Sequence, residues 1–106
     1  LGGRYRERVR PYASILMEEP GPLAERIAAI REQGFRAVKM GWGPFGRVDA
    51  RTDEAIVAAA RDAIGDGELM VDAGGSDAFW PNGYTWALRT ADMLANYGVA
   101  WFEEPL

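Results

Sequence analysis

The sequence alternates between four short apolar runs typical of β-strands and three stretches with helical periodicity. The strand-like runs are residues 9–16, 35–40, 68–73 and 99–103. Chains that alternate in this way form a parallel sheet whose strands are connected by helices. Most of these runs have no polar face, which is typical of parallel strands that helices cover. The sequence therefore predicts an α/β fold with four parallel strands and three intervening helices.

Capping residues and glycines predict where the three helices begin and end. Apolar residues between Leu23 and Ile30 repeat at helical spacing in the first helix. Thr52 and Asn82 are good N-cap residues for the second and third helices. Glycines supply the left-handed conformation that ends a helix, here at Gly34, Gly65 and Gly98.

The composition excludes several classes of site and partner. The chain has 106 residues, of which 48 % are hydrophobic and 26 % charged, as is ordinary for a globular domain. Because it has no cysteine and no histidine, disulfide frameworks, thiolate zinc sites and histidine-based triads are excluded. A metal site would need oxygen ligands, which favour Mg²⁺, Mn²⁺ or Ca²⁺. The net charge of −4 predicts no nucleic-acid partner. No apolar run reaches the ~20 residues of a membrane span, so we expect no membrane partner and a cytoplasmic location.

Three ionisable residues occupy the ends of successive predicted strands. Lys39, Asp72 and Glu103 are separated by 33 and 31 residues, close to one strand–helix unit each. Function in parallel α/β folds is built at the C-terminal ends of strands, and neighbouring strands lie ~4.8 Å apart. We therefore expect equivalent positions for the three side chains, with both carboxylates able to bind one hard cation and the ammonium beside it.

Three interpretations of Lys39, the only lysine in the chain, are open. A nearby cation disfavours its charged form, and a neutral amine can remove a proton from carbon. A charged Lys39 could instead hold a substrate carboxylate. The three groups could also form a charge network with no catalytic role. Near them, the glycine-rich segment 41–46 is interpreted as a turn or an active-site loop, and Trp42 and Trp80 are candidate pocket residues.

Three segments, in this order and spacing, resemble the enolase superfamily and, within it, the mandelate racemase/muconate-lactonizing subgroup. They are Arg36-Ala-Val-Lys39-Met-Gly, Leu69-Met-Val-Asp72-Ala and Gly98-Val-Ala-Trp-Phe-Glu103-Glu104-Pro105. The resemblance covers essentially the whole chain. It implies that residues 9–106 are the first half of a TIM-type (β/α) barrel, and that residues 1–8 are the linker from an N-terminal capping domain.

The resemblance also implies an activity and its cofactor. Asp72 and Glu103 would bind Mg²⁺, with Mn²⁺ as the alternative, and a third carboxylate would come from a fifth strand. The reaction would begin by removing the proton α to the carboxylate of a small-molecule substrate. Many members of the family dehydrate sugar acids, while others racemise or cycloisomerise their substrates. We expect an acid-sugar dehydratase that is a homo-oligomer at full length. The alternatives are a racemase or cycloisomerase of the same superfamily, or a non-catalytic half-barrel that dimerises.

Two positions depart from the pattern of that family. The family commonly has Lys-x-Lys at the end of the second strand, and here Lys39 matches the first lysine while Gly41 replaces the second. The resemblance therefore favours Lys39 as a charge beside the substrate carboxylate, with the base on a later strand. Gly74 stands where the family often has Asn, so Ser76 is a candidate for the missing polar contact.

Overall fold

Four parallel strands and three helices alternate along the chain in the computed structural model, which describes residues 2–74 and 83–106. All four strands belong to one sheet, in the order of the sequence. The predicted α/β order is confirmed. The strands are β1 (Ala13–Leu16), β2 (Ala37–Gly41), β3 (Glu68–Asp72) and β4 (Phe102–Glu103), and the helices are α1 (Pro20–Glu32), α2 (Ala50–Ile64) and α3 (Gly83–Asn96).

The first and last strands are shorter than the sequence predicted. β1 begins at Ala13 rather than at residue 9, and Pro11 has no N–H to donate to a ladder. β4 contains only two residues. The segment directly before it is already hydrogen-bonded to β3, since Ala100 N donates to Leu69 O at 2.8 Å. Residues 2–12 contain no helix or strand, and their assignment in part to a linker stays a prediction.

The hydrophobic core lies between the sheet and the helices. Val38 and Met40 of β2 and Leu69 and Val71 of β3 are fully buried in it. The helices contribute Leu23, Ile27, Ile56, Val57, Ala60, Ile64 and Leu94. Burial of these apolar side chains is the main force that holds the helices on this face of the sheet. The opposite face is free to carry polar groups.

The first and last strands approach each other on that opposite face. Tyr12, directly before β1, and Trp101, directly before β4, pack edge to face with ring centroids 6.1 Å apart. Two strands lie between β1 and β4, so a flat sheet would separate them by ~14 Å. The rings meet because the sheet curls and both side chains lean inwards. This face is therefore concave.

The start of α2 differs from the prediction. Asp49, not Thr52, is the N-cap, because its side chain accepts a 2.7 Å hydrogen bond from Thr52 N. That hydrogen bond is also the main cause of a lowered Asp49 pKa. Asn82, the predicted cap of the third helix, lies outside the described residues. The three glycines predicted to end helices have positive φ, of 93°, 63° and 62° at Gly34, Gly65 and Gly98, although the ψ of −123° at Gly65 is outside the left-handed helical region. Within the described ranges, no helix is long and apolar enough to cross a membrane.

Candidate active site

Lys39, Asp72 and Glu103 meet on the concave face, as the sequence predicted. Lys39 Nζ donates to Glu103 Oε2 at 2.9 Å and to Asp72 Oδ2 at 3.2 Å. The side chains of Lys39 and Asp72 are only 16 % and 18 % exposed, whereas that of Glu103 is 40 % exposed. One ammonium therefore bridges two carboxylates that belong to adjacent strands.

The expected equivalence of the three positions is wrong for Lys39. Asp72 pairs with Glu103 in the sheet, but its partner on β2 is Gly41, and Lys39 is opposite Met70. Lys39 thus lies two residues, about 6.6 Å of strand, before the C-terminal end of β2. It still reaches the carboxylates, since side chains two apart point to the same face and the lysine stem is long enough to span that distance.

The two carboxylates strongly favour the charged form of Lys39. The hydrogen bond to Glu103 is the largest cause of a raised Lys39 pKa; burial opposes it, and the hydrogen bond and charge of Asp72 add to it. Lys39 is therefore an ammonium in this arrangement. The alternative in which it acts as a neutral amine would require another cation to take over both carboxylates.

The position of this ammonium is also where a metal ion would contact both carboxylates. Two oxygen donors on rigid parallel strands suit a hard divalent cation such as Mg²⁺. Over residues 2–74 and 83–106, no group of three or more His, Cys, Asp or Glu side chains is arranged to hold a metal. Such a site would take two of its ligands, Asp72 and Glu103, from the described residues.

A cavity of about 230 Å³ opens beside these charges. Lys39, Asp72 and Trp42 line it, so the structure places Trp42 where the sequence predicted a pocket residue. Ser76 and Trp80, the other two predicted pocket residues, lie outside the described residues. The rest of the lining comes from the ends of the first two strands: Ser14, Ile15, Leu16, Met40 and Gly41.

The sequence reasoning missed the contribution of the first strand to the site. Ser14 is opposite Lys39 in the sheet and lines the cavity. The ring centroid of Tyr12 lies 5.8 Å from Lys39 Nζ, within the range of a cation–π interaction. The two-residue spacing of Tyr12, Ser14 and Leu16 was the available signal, since it places all three on one face. Their face could be assigned only once the register with β2 was known.

The fold is that of a known class of enzymes. The family model described as enolase C-terminal domain-like matches residues 22–106. The chain therefore belongs to the enolase superfamily, in its mandelate racemase/muconate-lactonizing subgroup. Its four strands and three helices match part of the TIM-barrel domain of that superfamily, which confirms the predicted fold class.

The curated relatives that match are named as acid-sugar dehydratases and a sugar-lactone cycloisomerase. The chain is 39 % identical to D-galactarolactone cycloisomerase of Agrobacterium fabrum, over all of this chain and 27 % of that protein. It is 32 % identical to D-gluconate dehydratase of Thermoproteus tenax, over all of this chain and 22 % of that protein. The chain thus spans about a quarter of the length of the curated relatives it matches.

Solved structures of mandelate racemase-type proteins also superpose on this chain. A predicted mandelate racemase from Rhodobacter sphaeroides superposes with a TM-score of 0.80 at 44 % identity, over 92 % of this chain and 25 % of that one. A racemase from Streptomyces coelicolor, solved with bound magnesium, has a TM-score of 0.70 at 33 % identity, over 92 % of this chain and 26 % of that one. Magnesium binding is therefore known in this family.

Proposed function

We propose that this chain is part of a Mg²⁺-dependent enzyme that removes the proton α to the carboxylate of an acid sugar. The observation that carries the proposal is the convergence of Asp72, Glu103 and Lys39 at the strand ends, beside a cavity of about 230 Å³. We infer dehydration as the overall reaction. Cycloisomerisation is the second candidate, because the relative that is 39 % identical catalyses it.

Each charged residue has a defined role in this proposal. Asp72 and Glu103 would hold Mg²⁺, which when bound would offset negative charge that develops on the substrate carboxylate. Lys39 would donate hydrogen bonds to that carboxylate from its ammonium form, because the negative charge of the substrate would replace Asp72 and Glu103, its partners in the metal-free arrangement. The proton acceptor is a different group, because an ammonium has no lone pair to accept the α proton.

Exchange of the α proton tests the proposed function directly. The full-length product of the gene that encodes this chain is incubated in D₂O with a panel of aldonates, aldarates and their lactones. We expect NMR to show loss of the α-proton signal for at least one substrate with Mg²⁺, and none with EDTA. In a parallel reaction in H₂O, loss of one water from the product indicates dehydration, whereas a new product of unchanged mass indicates an isomerisation such as cycloisomerisation. Absence of exchange on the whole panel would contradict the proposal.

Replacing Lys39 by Met tests whether the carboxylate pair is a cation site. Without Mg²⁺ we expect Lys39→Met to lower stability by about 1–3 kcal/mol, because two part-buried carboxylates lose their partner. We expect Mg²⁺ to bind roughly tenfold more tightly, because no ammonium competes for the same oxygens. Melting midpoints across a Mg²⁺ series, together with isothermal titration, measure both effects.

A matched control removes a different cation. Arg26→Met breaks the more exposed pair between Arg26 and Glu18 and should leave Mg²⁺ affinity unchanged. Equal affinities in Lys39→Met and the unsubstituted protein would show that Lys39 does not compete with the metal. If the melting midpoint of every variant is the same with and without Mg²⁺, the result would instead favour the non-catalytic half-barrel.

A further inference from the structure

The backbone of Trp42 is held in an unfavourable conformation beside the active site. Its φ is 64°, and Glu104 is the one other non-glycine residue with positive φ over residues 2–74 and 83–106. A bulky residue adopts this conformation only where its surroundings fix it, and such strain is concentrated at functional sites. The glycines on either side, Gly41 and Gly43, permit the tight path of the chain.

The indole of Trp42 occupies the space where a side chain at position 74 would lie. A Cβ added to Gly74 would be 2.4 Å from Trp42 Cε2 and 2.9 Å from its Nε1, distances that real Cβ atoms do not show. Gly74 N in turn donates to Asp72 Oδ1 at 2.9 Å. The absence of a polar side chain at position 74 is therefore explained, because the Trp42 ring has taken its place next to Asp72.

The loop that carries Trp42 is fixed at several points. A Cβ on Gly43 would be 2.2 Å from Met17 O, so the loop lies directly against the chain after β1. Phe45 is fully buried and packs edge to face on Trp86, with centroids 5.9 Å apart. Gly46 N donates to Asp53 Oδ1 at 2.6 Å.

Asp53 anchors this loop from inside the protein. It is buried, and desolvation raises its pKa, although the hydrogen bond from Gly46 opposes that change. The protein tolerates a buried carboxyl here because it satisfies a backbone N–H of the loop. Trp42 is thus a rigid wall of the cavity, held in place before any substrate binds.

The exposed part of Trp42 borders the cavity beside the charged residues. The residue is 40 % exposed and lines the same cavity as Lys39 and Asp72. An aromatic ring in a pocket favours a flat apolar partner. A closed sugar ring presents its C–H bonds on one face, whereas an open-chain acid presents hydroxyl groups on all sides and loses more conformational freedom on binding.

We propose that Trp42 is a specificity-determining residue that stacks on the C–H face of a cyclic substrate and selects aldarate monolactones, which keep one free carboxylate for Lys39, over open-chain acids. The inference rests on the proposed function, since it assumes that the cavity holds the substrate of Lys39 and Asp72. In this proposal, the segment after β2 determines which substrate binds, whereas Lys39, Asp72 and Glu103 take part in the reaction.

The test compares kcat/KM for an aldarate monolactone and for the corresponding open-chain aldarate in the full-length gene product. We expect Trp42→Ala to lower kcat/KM for the lactone by on the order of tenfold to a hundredfold, and that for the open-chain acid less than about threefold. Trp42→Phe keeps a ring and should retain most of the preference. Leu88→Ala, at an exposed position on α3, should change neither value.

The outcomes separate this inference from the proposed function. If the unsubstituted enzyme exchanges the α proton but Trp42→Ala lowers both values equally, the selectivity role is overturned while the proposed function stands. If the unsubstituted enzyme acts on no acid sugar, the proposed function is contradicted, and the inference about Trp42 is overturned with it. If Trp42→Ala does not fold, the ratio of the two values in Trp42→Phe and Trp42→Leu decides, since only Phe can stack.

Discussion

Replacing Asp72 by Asn is expected to lower kcat/KM by on the order of a thousandfold in the full-length gene product. Asn has nearly the same shape, and its carbonyl oxygen can still accept the hydrogen bond from Gly74 N. The substitution therefore removes the negative charge and leaves the backbone in place. A bound metal supplies several kcal/mol to reactions of this kind, and each 1.4 kcal/mol corresponds to a factor of ten in rate. Turnover of the best substrate at saturating Mg²⁺ measures the loss.

The neighbouring residue of Glu103 provides a matched control for this experiment. Glu104→Gln removes one negative charge from the same segment, but Glu104 is exposed and lies after the end of β4. We expect it to change kcat/KM less than about threefold, and Glu103→Gln to behave like Asp72→Asn. If Asp72→Asn retains kcat/KM within a few-fold while its melting midpoint is unchanged, Asp72 is not a ligand of the catalytic metal.

The grouping of the charged residues could be predicted from the sequence because it depends on topology alone. Asp72 and Glu103 end adjacent parallel strands, and any parallel sheet places such residues at one edge. The exact position of Lys39 could not be predicted in this way. A long side chain reaches the same point from two residues further back, so strand length and register remained undetermined until the pairing of Gly41 with Asp72 was known.

The surroundings of these charges depend on conformations that local patterns do not specify. The position of the Trp42 ring requires a positive φ at Trp42, between two glycines. It also requires a residue without a side chain at position 74, which is 32 residues away. The contact between Tyr12 and Lys39 requires the curvature of the sheet. For the N-cap of α2, Asp49 and Thr52 were equally suitable residue types, and only the hydrogen bond from Thr52 N to Asp49 distinguishes them.

Arg61 is the residue whose removal we expect to destabilise this part of the fold most. Its guanidinium donates four hydrogen bonds to backbone carbonyls where α2 and α3 end. Nε reaches Tyr97 O at 2.7 Å, Nη2 reaches Gly98 O at 2.8 Å, and Nη1 reaches Gly65 O and Gly67 O at 3.1 and 2.7 Å. Carbonyls at helix ends have no intrahelical partners, and the guanidinium satisfies several of them at once.

We expect Arg61→Met to lower the free energy of unfolding by about 3 kcal/mol. Hydrogen bonds that involve a charged group contribute roughly 1.5–3 kcal/mol each, and water compensates in part because Arg61 is half-buried. Met retains much of the apolar stem, so the loss reports the hydrogen bonds rather than packing. The melting midpoint should fall by roughly 6–12 °C in a barrel of ordinary size.

Two further variants make the Arg61 prediction specific. Arg61→Lys keeps the charge but not the planar fork, so it should recover only part of the lost stability. Arg26→Met removes an arginine with one ion pair and should cost about 1 kcal/mol or less. A change below about 1 kcal/mol for Arg61→Met would show that water replaces the guanidinium at these carbonyls.

The turns that Arg61 joins lead directly into β3 and toward β4. A large loss would therefore mean that one side chain at the far end of the sheet helps to hold together the two strands that carry Asp72 and Glu103.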